Sequence, residues 1–485
     1  MEAVDFLLKG SFEAIHEAIA SRKVTIESLT AACLDRIRKV DPEVNAVLAL
    51  NPAALDIARE LDADLPGLGA IPPLYGIPVL VKDNIETLEL PTTAGSLALR
   101  NNHTARDAPL IDMLRRSGAI VLGKTNLSEW ANFRSSRSSS GWSALGGQTR
   151  NPHDLTRSPC GSSSGSGAAV AAALAPLAIG TETDGSIVCP AHMNGIVGIK
   201  PTVGLLSGAG IVPISHSQDT AGPMARDVSG AAHLLSAMQG SSDFSAPLAN
   251  ASLSGKRLGV VRSSTGYHEG VDVVFEEALD TIRLAGATLV DDLQMKPDYR
   301  EYKRDAWNIL LYEFKSDLNR YLKGLPNDCA GLDLAQLIQF NLDHRDEELS
   351  WFGQETFVAA QEKGDLESPE YREALFRAQR TAREQGIDWL MSEHQLDGLI
   401  APTGGPAWSI DLINGDRGLG GFSNYAAVAG YPHVTLPMGH VHDLPVGLSF
   451  VAGAWQDQEA ICLAHAFEQA HGMMLELPAG IASLS

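Results

Sequence analysis

The sequence predicts an α/β fold: a mixed, twisted β-sheet core sandwiched by α-helices, with a helical cap region on one side. Three observations lead there. Short apolar runs alternate with stretches of helical period, the pattern of strands and helices layered around one sheet. An alanine-rich stretch, Ser166 to Ala175, has side chains small enough for a helix to press closely on that sheet. From about residue 297 to 385 the chain turns to amphipathic, charge-dense segments, and strand-like runs resume only afterwards.

In chain order, residues 1–24 are read as a helical extension, and 25–470 as the main domain with the insertion at about 297–385. A tail follows at 471–485. Ile26, Leu29, Cys33, Leu34 and Ile37 make one stripe of a helix, with Thr25 in the N-cap position. Ile77 to Val81 is a buried strand that delivers Lys82 to its C-terminal edge. Asp107 to Gly118 reads as a helix, Ala119 to Leu122 as a strand, and Gly123 breaks the pattern. Residues 134–166, rich in Ser, Gly, Asn and Pro, have no hydrophobic period. A loop that long in a compact domain is usually functional. Leu177 to Gly180, Leu396 to Ile400, Val434 to Met438 and Val446 to Val451 read as strands, and Gln458 to Gln469 as a closing helix.

Composition narrows the function. A formal charge of −22 repels phosphate backbones, which argues against nucleic-acid partners. No apolar run is long enough to span a bilayer, and the acidic N-terminal stretch lacks the layout of a signal peptide. The five cysteines are scattered and form no CxxC pair, so free thiols in a reducing cytoplasm are expected. Cys160 and Cys189 in particular are read as packing residues.

The chemistry concentrates in three places: Lys82 at a strand end, Ser162 in Gly161-Ser162-Ser163-Ser164-Gly165, and Ser186 in Thr183-Asp184-Gly185-Ser186-Ile187. A serine hydroxyl needs a base to become a nucleophile. A lysine can serve if burial lowers its pKa from about 10.4 to about 7–8. Backbone amides of Thr183, Asp184, Gly185 and Ser186 converge as a candidate oxyanion hole, provided the Asp184 carboxylate points away from it. Rival motifs fail on context. Gly161-x-Ser163-x-Gly165 matches a nucleophile elbow but has no strand before it. Gly118 to Thr125 spells a phosphate loop, yet its middle residues are themselves the strand. No SxxK occurs. His440, His442 and Asp443 offer metal-ligating atoms in an otherwise ordinary turn.

The run Ser158 to Ala191, with Val81-Lys82-Asp83-Asn84 before it, resembles the amidase signature family. So do Gly123 to Phe133, Val197 to Thr202, Asn424 to Ala427 and Ala429 to His433. The 24-position gap between Ser162 and Ser186 fits the same family. Within it, Glu182-Thr183-Asp184-Gly185 and Phe352-Gly353-Gln354-Glu355 are most similar to bacterial peptide amidases. The resemblance implies the amidase-signature fold, hydrolysis of carboxamides by a Ser–Ser–Lys triad (Ser186, Ser162, Lys82) through an acyl-enzyme, and a cis peptide before Ser162. It implies no metal or organic cofactor, a small-molecule or short-peptide amide as substrate, and a monomer or homodimer. Primary amides, including C-terminal peptide amides, are the leading substrates. Two alternatives lie within the family: an amidotransferase A-type glutamine amidase, which works inside a multi-subunit complex, and an aryl or aliphatic amidase. A catalytically dead binding protein is the alternative outside it. Val188 stands where the amidotransferase A-type enzymes carry an arginine.

Overall fold

A computed structural model describes residues 2–295, 299–326, 329–472, 478 and 480–481. The strands are β1 (Val47–Leu50), β2 (Pro78–Lys82), β3 (Ile120–Thr125), β4 (Trp142–Ser143), β5 (Gly147–Gln148), β6 (Leu177–Glu182) and β7 (Val197–Lys200). They continue with β8 (Thr220–Ala225), β9 (Arg257–Val261), β10 (Thr288–Leu293), β11 (Gly398–Pro402), β12 (His433–Val441) and β13 (Leu444–Val451). Among the described residues eleven of these form one sheet, in the order β1-β3-β2-β6-β8-β7-β12-β13-β11-β9-β10. The sheet is mixed, as expected: β2 runs parallel to β3 and β6, whereas β6, β8, β7, β12 and β13 are successively antiparallel.

Burial explains which runs became strands. Every residue of β2, β3 and β6 is buried, so these strands read as unbroken apolar runs rather than alternating ones. The helix begun at Ile26 is capped as anticipated, with Ser28 N–H donating to Thr25 Oγ1 at 3.0 Å. It extends to Val44, beyond the stripe that announced it, and stops where Asn45 turns left-handed at φ 57°. Residues 2–24 form the short helices Ala3–Lys9 and Phe12–Ala20.

The small-residue helix is Ser164–Ala171, wholly buried, two residues earlier in its start than the sequence reading placed it. Its glycines are steric necessities: a Cβ on Gly165 would lie 2.3 Å from Ala46 O and 2.5 Å from Asn126 O. Residues 134–166 contain the hairpin β4–β5 instead of being all loop. Side chains substitute for the missing hydrophobic period, as where Asn126 Nδ2 donates to Gly147 O at 3.0 Å and to Thr149 Oγ1 at 3.1 Å. The charge-dense region forms the helices Tyr299–Lys323, Leu334–Asp343, Arg345–Glu348, Glu355–Gln361 and Pro369–Ala382. They enclose a second apolar cluster in which Phe314, Leu318 and Phe357 pack on Trp130 and Phe133. The start of the insertion at 297, and most of the tail at 471–485, lie outside the described residues.

Candidate active site

Adjacent parallel strands bring the site together. β2 ends in Lys82, β6 ends in Thr181 and Glu182, and the loop before the Ser164–Ala171 helix supplies Ser162. Lys82 Nζ, fully buried, lies 2.7 Å from Ser162 Oγ, 2.8 Å from Thr181 Oγ1 and 3.2 Å from Thr181 O. Asn84 Nδ2 donates to the same Thr181 hydroxyl at 2.9 Å. Withdrawal from water lowers the Lys82 pKa to about 7, against the opposing pull of the Asp219 and Glu182 carboxylates. The Gly161–Ser162 peptide is cis.

Ser186 sits on the turn that follows β6 and is 8 % exposed, the most open of the three side chains. Gly185, at φ +83°, makes the turn. Glu182 holds its far side: one carboxylate oxygen accepts from Ile187 N–H at 2.8 Å and Val188 N–H at 3.0 Å, and the Gly185 amide also faces it. Burial raises the Glu182 pKa, and the buried Lys200 ammonium opposes that rise. Among the described residues the N–H groups of Thr183, Asp184 and Ser186 donate to no protein acceptor. The two serine loops meet through the backbone, where Ser163 N–H donates to Ser186 O at 3.1 Å. No hydrogen bond joins the Ser162 and Ser186 hydroxyls directly.

The Asp184 side chain turns away from these amides. It accepts from Ser423 Oγ and from Asn424 Nδ2, each at 2.6 Å, at the start of the helix Ser423–Ala429. The wording around Asn424 therefore meets the Asp184 departure in space.

The cysteines correct a sequence expectation. Cys160 and Cys189 form a disulfide, tying the loop before Ser162 to the helix after Ser186. They are cross-linking residues, not packing residues, and the expectation of a reducing compartment that rested on five free thiols loses that support. Cys33, Cys329 and Cys462 are free thiols. Nothing in the spacing marked the pair, because the two residues stand 29 positions apart and meet only once both serine loops are folded.

Phe352-Gly353-Gln354-Glu355 locks the insertion to the segment ahead of Ser162. Phe352 lies over the guanidinium of the fully buried Arg134, 4.3 Å from ring centroid to Cζ. Arg134 pairs with buried Glu129 at 2.9 Å. Glu355 Oε1 accepts from Ser135 Oγ, Ser136 N–H and Ser136 Oγ, each at 2.8 Å.

The rival motifs are accounted for. Lys124 of the phosphate-loop match is a buried structural cation, 3.1 Å from Asp83 and donating to Ile85 O at 2.7 Å. Ser163 of the elbow match has its hydroxyl occupied by Thr181 O and Thr181 N–H. His440, His442 and Asp443 form no ligand cluster; among the described residues the grouping with metal-ligating geometry is His216, Glu313 and Asp317. Sequence reading missed that trio, whose members are about a hundred positions apart. His216 Nδ1 lies 2.7 Å from Asp317 Oδ2, and the two acids raise the His216 pKa. The Glu313 carboxylate is filled by Ser215, Ser217 and Tyr371, so an ion pair already satisfies this cluster.

A buried lysine bonded to a serine, beside a second serine on a turn of free amides at the edge of a mixed sheet, defines a serine hydrolase without a catalytic histidine. The amidase family profile matches residues 28–461. A peptide amidase from Stenotrophomonas maltophilia of known structure is 45 % identical, with a TM-score of 0.90 over 96 % of this chain and 98 % of that one. A probable amidase of Arabidopsis thaliana is 37 % identical over 95 % of this chain and 90 % of its own length. The amidase component of a glutamyl-tRNA(Gln) amidotransferase from Acidothermus cellulolyticus is 36 % identical, covering 93 % and 92 %. The chain belongs to the amidase family and has its fold, and it is a hydrolase acting on amide C–N bonds. Among the described residues no helix is long and apolar enough to cross a membrane.

Proposed function

We propose that this enzyme hydrolyses primary carboxamides, C-terminal peptide amides foremost, with Ser186 as nucleophile, Ser162 as proton relay and Lys82 as base. The observation that carries the reading is the 2.7 Å contact between Lys82 Nζ and Ser162 Oγ in a site dry enough to hold the amine near pKa 7. A neutral amine satisfies every contact there. Its two N–H bonds donate to Thr181 O and Oγ1, which leaves the lone pair to accept from the Ser162 hydroxyl.

In the forward direction, Ser186 Oγ attacks the amide carbon while its proton passes to Ser162, whose own proton passes to Lys82. The C=O π pair moves onto oxygen, where the amides of the 183–186 turn stabilise it; those of Thr183, Asp184 and Ser186 have no protein acceptor to surrender. Collapse breaks the C–N bond, and the proton returns through Ser162 to release ammonia. Water then repeats the sequence on the acyl-ester, giving the carboxylic acid and free Ser186. Each step is carried by side-chain and backbone groups, with no metal or organic cofactor.

Similarity to a peptide amidase at 45 % identity over nearly the whole chain supports the substrate class. The reading also takes the enzyme to act alone or as a homodimer. The amidotransferase reading calls for further polypeptides in the complex, so turnover by the purified chain discriminates between them. The direct test is ammonia release from a panel of dipeptide amides, aryl amides, aliphatic amides and glutamine. Glutamine as the sole productive substrate would overturn the peptide-amide reading.

A further inference from the structure

Asp219 belongs to none of the motifs. Its loop nevertheless reaches the site from the opposite side to Glu182. Thr183 Oγ1 donates to Asp219 Oδ1 at 2.6 Å, and Gln218 Nε2 donates to Thr183 O at 3.1 Å. Thr183, the first residue of the turn whose amides face the substrate, is thus gripped at its hydroxyl and at its carbonyl. The second Asp219 oxygen accepts from Ile214 N–H at 2.7 Å and Ser215 N–H at 2.9 Å, which fixes the carboxylate in its own loop. The same loop is fastened to the insertion, because Ser215 and Ser217 donate to Glu313, and His216 N–H to Asp317 at 2.9 Å. A small cavity is bounded jointly by Asp219, Thr183, Thr181 and Asn84. The carboxylate therefore borders the same space as the hydroxyl that holds Lys82.

We propose that Asp219 is a positioning residue with two effects: it sets the Thr183 end of the oxyanion turn, and its charge acts on the Lys82 amine across the Thr181–Thr183 strand end. The inference rests on the reading of Lys82 as base. Two carboxylates face Lys82, Asp219 from the loop before β8 and Glu182 from the end of β6, and both favour the ammonium form. Asp317 of the Tyr299–Lys323 helix is the acid that faces Asp219. With an Asp219 pKa of about 6, the carboxylate is charged through the range in which Lys82 titrates. Asp219 thus aligns the turn at some cost to the base, whose amine would be easier to deprotonate without it.

The test is the pH profile of kcat/KM from pH 5.5 to 10 for wild type, Asp219→Asn and Thr183→Val, with circular dichroism to confirm folding. Asp219→Asn keeps the shape and an oxygen for Thr183. We expect it to lower kcat about 10–100-fold and to move the acid limb down by about 0.5–1 pH unit, since an opposing charge is gone. Thr183→Val leaves the charge and removes the grip; it should lower kcat with the acid limb unmoved. Asp219→Asn with lost kcat and an unshifted limb would reduce Asp219 to a structural residue and overturn the proposal. Thr183→Val with wild-type kcat would overturn the positioning half. A wild-type profile with no acid limb would instead defeat the Lys82 reading itself.

Discussion

Asn424 Nδ2 donates to Asp184 Oδ2 at 2.6 Å and so holds a carboxylate off the turn whose amides face the substrate. Without that anchor, a negative charge sits two residues from Ser186, where the transition state builds its own negative charge. Asn424→Ala is expected to lower kcat about tenfold or more with little change in KM, since the penalty falls on the oxyanion and not on ground-state binding. Adding Asp184→Ala to that variant should recover part of the loss. A double variant no better than Asn424→Ala alone would show that Asn424 serves some other purpose.

The proton relay makes a second prediction. Ser186→Ala is expected to abolish turnover, and Lys82→Ala or Ser162→Ala to cost several orders of magnitude each. Because the two act on one proton, the Lys82→Ala/Ser162→Ala double variant should lose little more than either single one. Multiplicative losses in the double variant would break the relay apart.

Much of this was legible in the sequence because it depends on short-range pattern. An unbroken apolar run ending in lysine specifies a buried strand and an end placed at the sheet's edge. The Ser/Gly run before an alanine-rich helix specifies a tight loop on that sheet. What escaped depends on contacts between distant segments. β1 is only half-buried and β10 carries exposed residues at several positions, so neither showed a strong period. The Cys160–Cys189 bond, the His216 trio and the grip of Asp219 on Thr183 each join loops whose neighbours are set by strand order. Strand order is not written in any local window.

The pH dependence follows from the Lys82 environment. The base works only when neutral, and burial holds its pKa near 7 in place of the ordinary 10.5. kcat/KM should therefore rise as pH increases through about 7 and level off above it. An ordinary exposed lysine would keep the rate climbing to about pH 10. Chelators should leave the rate unchanged. An acidic optimum, or activity removed by chelation and restored by zinc, would contradict a lysine base.

Arg134 and Glu129 are both fully buried and 2.9 Å apart, under the ring of Phe352. Removing one charge leaves the other stranded, so Arg134→Leu is expected to destabilise the fold by about 3–5 kcal/mol in denaturant unfolding. Glu129→Gln with Arg134→Leu should cost less than the sum of the two. A loss within about 0.5 kcal/mol for Arg134→Leu would mean that the insertion is held by its apolar contacts alone.

Substrate choice is the prediction that reaches furthest. The catalytic serines lie under a helical insertion fastened to the loop ahead of Ser162 by Phe352, Glu355 and Arg134. A site enclosed in this way accommodates a small leaving group more readily than a continuing chain. Steric exclusion can give large factors, where a difference of one methylene gives only about 10–200-fold. The comparison is kcat/KM for a dipeptide amide, a small aromatic amide, and a longer peptide with a free C-terminus. The dipeptide amide should lead, and the internal bonds of the longer peptide should be cut at least about a thousandfold more slowly. Efficient internal cleavage would mean that the insertion does not close the site to a continuing chain. An aromatic amide in the lead would keep the amidase chemistry and move the substrate from peptide amides to aryl amides. Loosening the fastening with Glu355→Ala tests the cause directly: it should narrow the gap between the peptide amide and the longer peptide while leaving the acid limb of the pH profile in place, because Lys82 and its partners lie on the sheet and not on the insertion.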